Sequence, residues 1–120
     1  MPILTSPQAD DVRTAIRHAA LRADLRVAVF MGSAQGRARD YAERLHAALG
    51  DEQAPRAVLV FVDPGTHALE IVTGALIRGR VTDGQCRLAA MAMVTAFSAG
   101  DYDGGLVQGI EMLTEYATHS

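Results

Sequence analysis

Two unbroken apolar runs constrain the fold more than anything else in this chain. They are Val27-Ala28-Val29-Phe30-Met31 and Ala57-Val58-Leu59-Val60-Phe61-Val62. Each has the length of a strand and is too short for a buried helix. Neither alternates polar with apolar residues, so both are expected to be covered on two faces. Between them Ala38, Tyr41, Ala42, Leu45, Ala48 and Leu49 recur on one side of a helix, with Gly50 just past its end. A strand, a helix and a strand in this order imply a parallel pair with a right-handed crossover.

The flanking segments supply the covering helices. Met1 to Ser6 reads as a short arm. Ser6-Pro7 is a helix start, with Ser6 at the N-cap and Pro7 at the first helical position. Val12, Ile16, Ala19 and Ala23 then share a face. Asp63-Pro64-Gly65-Thr66-His67 is a turn, and Ala68 to Thr73 is a third strand that folds back. Thr82-Asp83 starts a long helix to about Ala99, with Cys86, Ala89 or Ala90, Met93 or Val94, and Phe97 inward. A last helix runs from about Asp103 to Ala117, with Leu106, Ile110, Leu113 and Ala117 inward. The expected fold is one α/β domain of 120 residues, with its core over about 8–117. It is a three-layer α/β/α sandwich around a small mixed sheet.

Composition narrows the function classes. The net charge is −3, which disfavours non-specific nucleic-acid binding. Aromatic residues make up 5% and there is no Trp, so a base-stacking surface is not expected. All 11 basic residues are Arg, a pattern that reads as compositional bias. The single cysteine, Cys86, lies in an amphipathic helical pattern and reads as a small buried apolar residue. No run is long enough to span a membrane, and the N-terminus lacks a signal-peptide pattern. A soluble, cytoplasmic protein is expected.

Topology points to one edge for a site. The carboxyl ends of the first two strands carry the Gly32 to Gly36 loop and the Asp63 to His67 turn. The third strand runs down, and the long helix climbs about 24 Å back up. Gly100 to Gly105 therefore belongs at the same edge, where open α/β sheets bind ligands. Asp63, Asp101 and Asp103 are the candidate ligands there for a hard cation such as Ca²⁺ or Mg²⁺. The same residues have a structural reading: Asp63 opens a turn, Asp101 caps the last helix, and Asp103 complements its dipole. The Gly32-Ser33-Ala34-Gln35-Gly36-Arg37 loop is a candidate anion site, with Ser33, Arg37 and Arg39. It lacks the ending of a phosphate-binding Walker sequence, and a plain strand-to-helix connection fits as well. Ser33 as a nucleophile would need His67 as its base. His18 and His46 fall on surface-facing helical positions.

The last helix is unusual in its glycines. Gly104, Gly105 and Gly109 each cost about 1 kcal/mol relative to alanine in a helix. Close packing or a functional site must compensate. From Arg26 to about Leu113 the chain resembles the TPM domain family. Ile71, Gly74 and Gly79 fit the family's third strand and the loop after it, and Val81-Thr82-Asp83 fits its helix start. Phe97 is followed by the family's Gly100-Asp101-Tyr102, then Gly105, Leu106 and Gly109. The chain departs from the family pattern at Arg78, where a glutamate is usual, and at Thr95, where a proline is usual. The resemblance implies an α/β/α fold. Plant members of the family resemble metal-dependent acid phosphatases, and animal members are accessory partners of a receptor. The sparse nucleophile and base chemistry and the altered Gly74 to Gly79 loop lead to the expectation of a non-catalytic interaction or accessory module for a protein partner. The alternative is a weak divalent-metal-dependent hydrolase of the acid-phosphatase kind.

Overall fold

A computed structural model describes residues 4–119. The first half of the expected N-terminal arm, residues 1–3, lies outside them. The elements are α1 (Ser6–Ala23), β1 (Arg26–Met31), α2 (Ala38–Ala47), a short 3-10 turn (Ala54–Arg56), β2 (Ala57–Asp63), β3 (Ala68–Thr73), α3 (Asp83–Ser98) and α4 (Tyr102–Thr118). The sheet order is β1-β2-β3. β2 is the centre, parallel to β1 and antiparallel to β3. Helices cover both faces, as expected of a three-layer sandwich around a small mixed sheet.

The two faces of β2 separate the core in two. Successive side chains of a strand point to opposite faces. Val58, Val60 and Val62 face the larger cluster, built with α1, α3 and α4 around Leu25, Met93, Leu106, Ile110 and Leu113. Leu59 and Phe61 face the smaller one, with Val72, Ala42, Tyr41 and Leu45. Phe61 stacks on Phe30 at 5.9 Å and meets Tyr41 edge-on at 5.4 Å. All seven residues of β2 are buried.

β1 does not match the expectation of a strand buried on both faces. Only Val27 is buried, and Phe30 is 38% exposed. The reason is strand order. β3 joins β2 rather than β1, which leaves β1 on an edge with α2 as a partial cover.

The helix ends follow from capping chemistry. α1 is capped by Thr5, not Ser6. The Thr5 hydroxyl accepts from Gln8 N at 3.3 Å, and Gln8 Oε1 accepts from Thr5 N at 2.9 Å. This reciprocal box places Pro7 one position further into the first turn. Thr82 and Gln85 make the same box at α3. α4 begins at Tyr102, one residue before the expected start, because Asp101 is its N-cap. His46 is not a plain surface residue: its Nε2–H donates to Ala57 O at 3.1 Å.

Arg80 ties the lower end of the molecule together. Its guanidinium donates to Ala23 O, to Asp24 O at 3.3 Å and to Ala117 O at 3.5 Å. These carbonyls lie at the C-termini of α1 and α4, where helix dipoles favour a cation. Arg80→Ala is expected to cost about 2 kcal/mol through lost charge-assisted bonds. A urea titration against wild type reads it directly, and an unchanged midpoint would contradict the clamp.

Candidate functional site

The upper edge of the sheet is organised by Asp63. It ends β2 and is only 3% exposed. Its Oδ2 accepts from Ala34 N at 2.9 Å, and its Oδ1 accepts from Gly65 N at 3.0 Å and Thr66 N at 3.3 Å. The carboxylate thus closes its own Asp-Pro-Gly turn and fastens the loop after β1 to the end of β2. Ala34 N belongs to the loop that reads as an anion cradle. The anion it holds is the protein's own Asp63.

These bonds set the acidity of Asp63. The Ala34 amide is the largest influence and lowers its pKa below the ordinary 3.8; burial opposes this, and the Thr66 hydroxyl with the Thr66 and Gly65 amides adds to the lowering. The contribution to stability is therefore complete above the unfolded value of 3.8 and is lost as pH falls through the lower folded value. We expect Asp63→Asn to be less stable than wild type at neutral pH, with a deficit that shrinks in acid. Urea midpoints from pH 7 downward measure it. A deficit independent of pH would remove the charge from the argument.

Asp101 serves the joint between α3 and α4. Gly100 has φ of 81°, the left-handed region that glycine enters without strain. Gly100 N donates to Phe97 O at 2.9 Å and Asp101 N to Ala96 O at 3.0 Å, which closes α3. Asp101 Oδ1 then accepts from Gly104 N at 3.0 Å and opens α4. Phe97 and Tyr102 stack across the joint at 4.9 Å. Asp101→Ala is expected to cost about 1 kcal/mol, while Asp101→Asn keeps the cap and most of the stability. Thermal melts of the two variants distinguish them, and equal losses would contradict capping.

The predicted residues are therefore brought to one edge only in part. Asp63 and Tyr102 line one small cavity of about 40 Å³, with His67, Phe97 and Val94. Asp103 instead lines a cleft against α1, beside Asp11, His18 and Glu111. Among the described residues no three His, Cys, Asp or Glu side chains are grouped so as to hold a metal ion. Asp63, Asp101 and Asp103 do not form one donor set as they stand. Ser33 and Arg37 are exposed on the loop. Arg39 is directed away from it, with Nη1 donating to Ile71 O at 2.9 Å on the far edge of β3. Among the described residues no hydrogen bond joins Ser33 to His67. The cleft that Arg39 enters was not anticipated from the sequence, although one signal was present. Arg37 is the extended N-cap residue ahead of α2 and Arg39 lies in its first turn, so a helix start placed between them separates the two side chains.

The TPM domain model matches residues 2–116. The chain belongs to the TPM domain family. Two uncharacterised proteins from strains of Mycobacterium tuberculosis are 32% identical to this TPM domain over 101 residues, 83% of its length. The chain spans 59% of the length of those relatives. Among solved structures, the BA42 protein of Bizionia argentinensis superposes with a TM-score of 0.86 at 21% identity, covering 98% of this chain and 83% of that one. The N-terminal domain of the cg2496 protein of Corynebacterium glutamicum gives 0.78 at 18% identity, covering 98% and 76%. These likenesses show the fold of the TPM domain. No helix among the described residues is long and apolar enough to cross a membrane.

Proposed function

We propose that this TPM domain is a non-catalytic interaction or accessory module for a protein partner. One observation supports the reading above others. The acidic groups at the expected ligand edge are engaged in holding the fold: Asp63 with three backbone amides, Asp101 with the first turn of α4. Leu88, Met91 and Val94 of α3 are meanwhile 53%, 66% and 46% exposed, more than the interior needs. A cytoplasmic setting is part of the proposal, in keeping with one buried, unbridged cysteine.

The test is turnover of a simple phosphomonoester with Ca²⁺, Mg²⁺ or Mn²⁺ in excess. The module reading expects no metal-dependent rate above buffer. A rate that requires metal and disappears in Asp101→Asn would overturn it. Asn keeps the helix cap, so that loss would not be a folding effect.

The second reading is a weak divalent-metal-dependent acid-phosphatase-like hydrolase, and one observation favours it. Asp63 and the start of α4 border the same cavity at the ligand edge. In that reading Asp63, Asp101 and Asp103 hold Ca²⁺ or Mg²⁺, which supplies a Lewis acid for a phosphoryl oxygen. Asp103 would have to leave the α1 side of α4. The exposed Ser33 and Arg37 would then meet the substrate anion, and Arg39 would have to exchange its bond to β3.

A further inference from the structure

The outer edge of β3 lies in a groove. Gly74 N donates to Ala57 O at 2.9 Å, which fixes the phase of the antiparallel ladder. In the register Val58↔Thr73, Val60↔Ile71 and Val62↔Leu69, the three β3 residues turn their backbone N–H and C=O outward. Leu69, Ile71 and Thr73 line a cleft of about 350 Å³, whose facing wall is Asp83, Arg87 and Ala90 of α3. Leu69 also lines the smaller cavity beyond, beside Val94. Asp83, Arg87, Ala90 and Val94 recur every three or four residues, so they form one stripe along α3. That stripe is about 17 Å long, and six residues of β3 extend about 20 Å. The groove thus has the length of a short strand. Arg39 already makes one edge bond from the side, to Ile71 O.

We propose that this groove receives an extended segment of a partner protein as a fourth strand, with an acidic side chain of that segment paired to Arg87. The proposal rests on the reading of the domain as an interaction module and names its partner chemistry. Charge selects the acid. Arg39 has Glu43 and Glu70, each at 3.5 Å. Asp83 sits in the first turn of α3, where it complements the helix dipole. Arg87 has no carboxylate within ion-pair distance among the described residues. It is the cation of this wall that no described carboxylate contacts directly. Apolar side chains of the segment meet Leu69 and Val94. A single strand suits the groove better than a second copy of the domain, because a copy would bring its own α3 against the same wall. Backbone pairing supplies affinity in this mode and alternate side chains supply selectivity.

The test is selection of random ten-residue peptides on phage against the whole domain. The expected products alternate apolar or β-branched residues and share an Asp or Glu. Their binding weakens about tenfold or more in Arg87→Glu, as for a lost charge-assisted bond, and in Leu69→Pro. Leu69→Pro removes an outward N–H, a change that edge strands tolerate. Should that variant fail to fold, Arg87→Glu and peptide-induced amide shifts at Leu69, Ile71 and Thr73 carry the test. Absence of enriched peptides overturns the proposal, as does binding that both folded variants leave unchanged. Peptides that shift Leu88 and Met91 instead keep the module and discard the groove. A dimer broken by the same variants assigns the edge to a second copy and also discards it. The module reading itself fails separately, on metal-dependent turnover.

Discussion

Gly74→Ala is expected to unfold the domain or bring it close to unfolding. A Cβ at Gly74 would stand 2.2 Å from Ala54 O and 2.5 Å from both the carbonyl carbon and oxygen of Pro55. All are backbone atoms. Two hydrogen bonds hold them in place: Gly74 N to Ala57 O and Leu76 N to Pro55 O, both at 2.9 Å. The chain leaving β3 is therefore pressed against the turn that enters β2, and neither side can withdraw cheaply. The cost is about 3 kcal/mol or more, at the upper end for overpacking. That is a large share of a typical domain's stability of about 5–15 kcal/mol. Gly79→Ala is the control, since nothing lies within 4 Å of its Cβ position. Urea unfolding should show a large loss for Gly74→Ala and little for Gly79→Ala. Similar midpoints would contradict the close approach.

Gly105→Val is expected to destabilise the packing of α3 on α4 strongly. A Cβ there would lie 2.7 Å from Phe97 Cε1 and 2.9 Å from Ala96 Cβ. Ala96 Cβ moves only with the α3 backbone, so α3 and α4 would have to separate. Leu106 and Ile110, which have no exposed surface, would be disturbed by that separation. We expect a loss of about 3 kcal/mol. Gly109→Ala should cost less. Its Cβ would meet Met93 Cγ, Sδ and Cε, each at 2.6 Å. A methionine side chain can repack, and alanine regains about 1 kcal/mol of helix propensity. Thermal unfolding of the two variants gives the order. A Gly109→Ala melt below that of Gly105→Val would contradict this account of the joint.

The glycine-rich motif that marks the family is thus accounted for by packing. Gly100 ends α3, Asp101 starts α4, and Gly105 and Gly109 let the two helices approach. The sequence revealed the glycines and the helix break, but not the atoms they make room for. Topology alone placed Asp63 and the Gly100 to Gly105 turn at one edge, and they border one cavity there. The directions of the carboxylates were not legible. Asp63 is oriented by amides from two loops that are 29 residues apart at the Ala34 contact. Asp103 faces α1 because of the rotation of α4, which is set by the packing of Leu106 and Ile110.

The strands show the same limit. The β1 and β2 runs look alike as sequence, yet β2 is wholly buried and β1 is an edge. Only the side on which β3 pairs distinguishes them. At the start of α1 the expected Ser6 cap gives way to a Thr5–Gln8 box seen in the structure. The box prevails because it satisfies two backbone donors rather than one.

Calorimetric titration of the domain with Ca²⁺, Mg²⁺ and Mn²⁺ tests most directly whether the acids at the upper edge serve the fold rather than a metal-dependent reaction. No saturable heat is expected with any of the three ions. Stoichiometric binding of one of them, abolished in both Asp63→Asn and Asp101→Asn, would contradict a purely structural role for these acids.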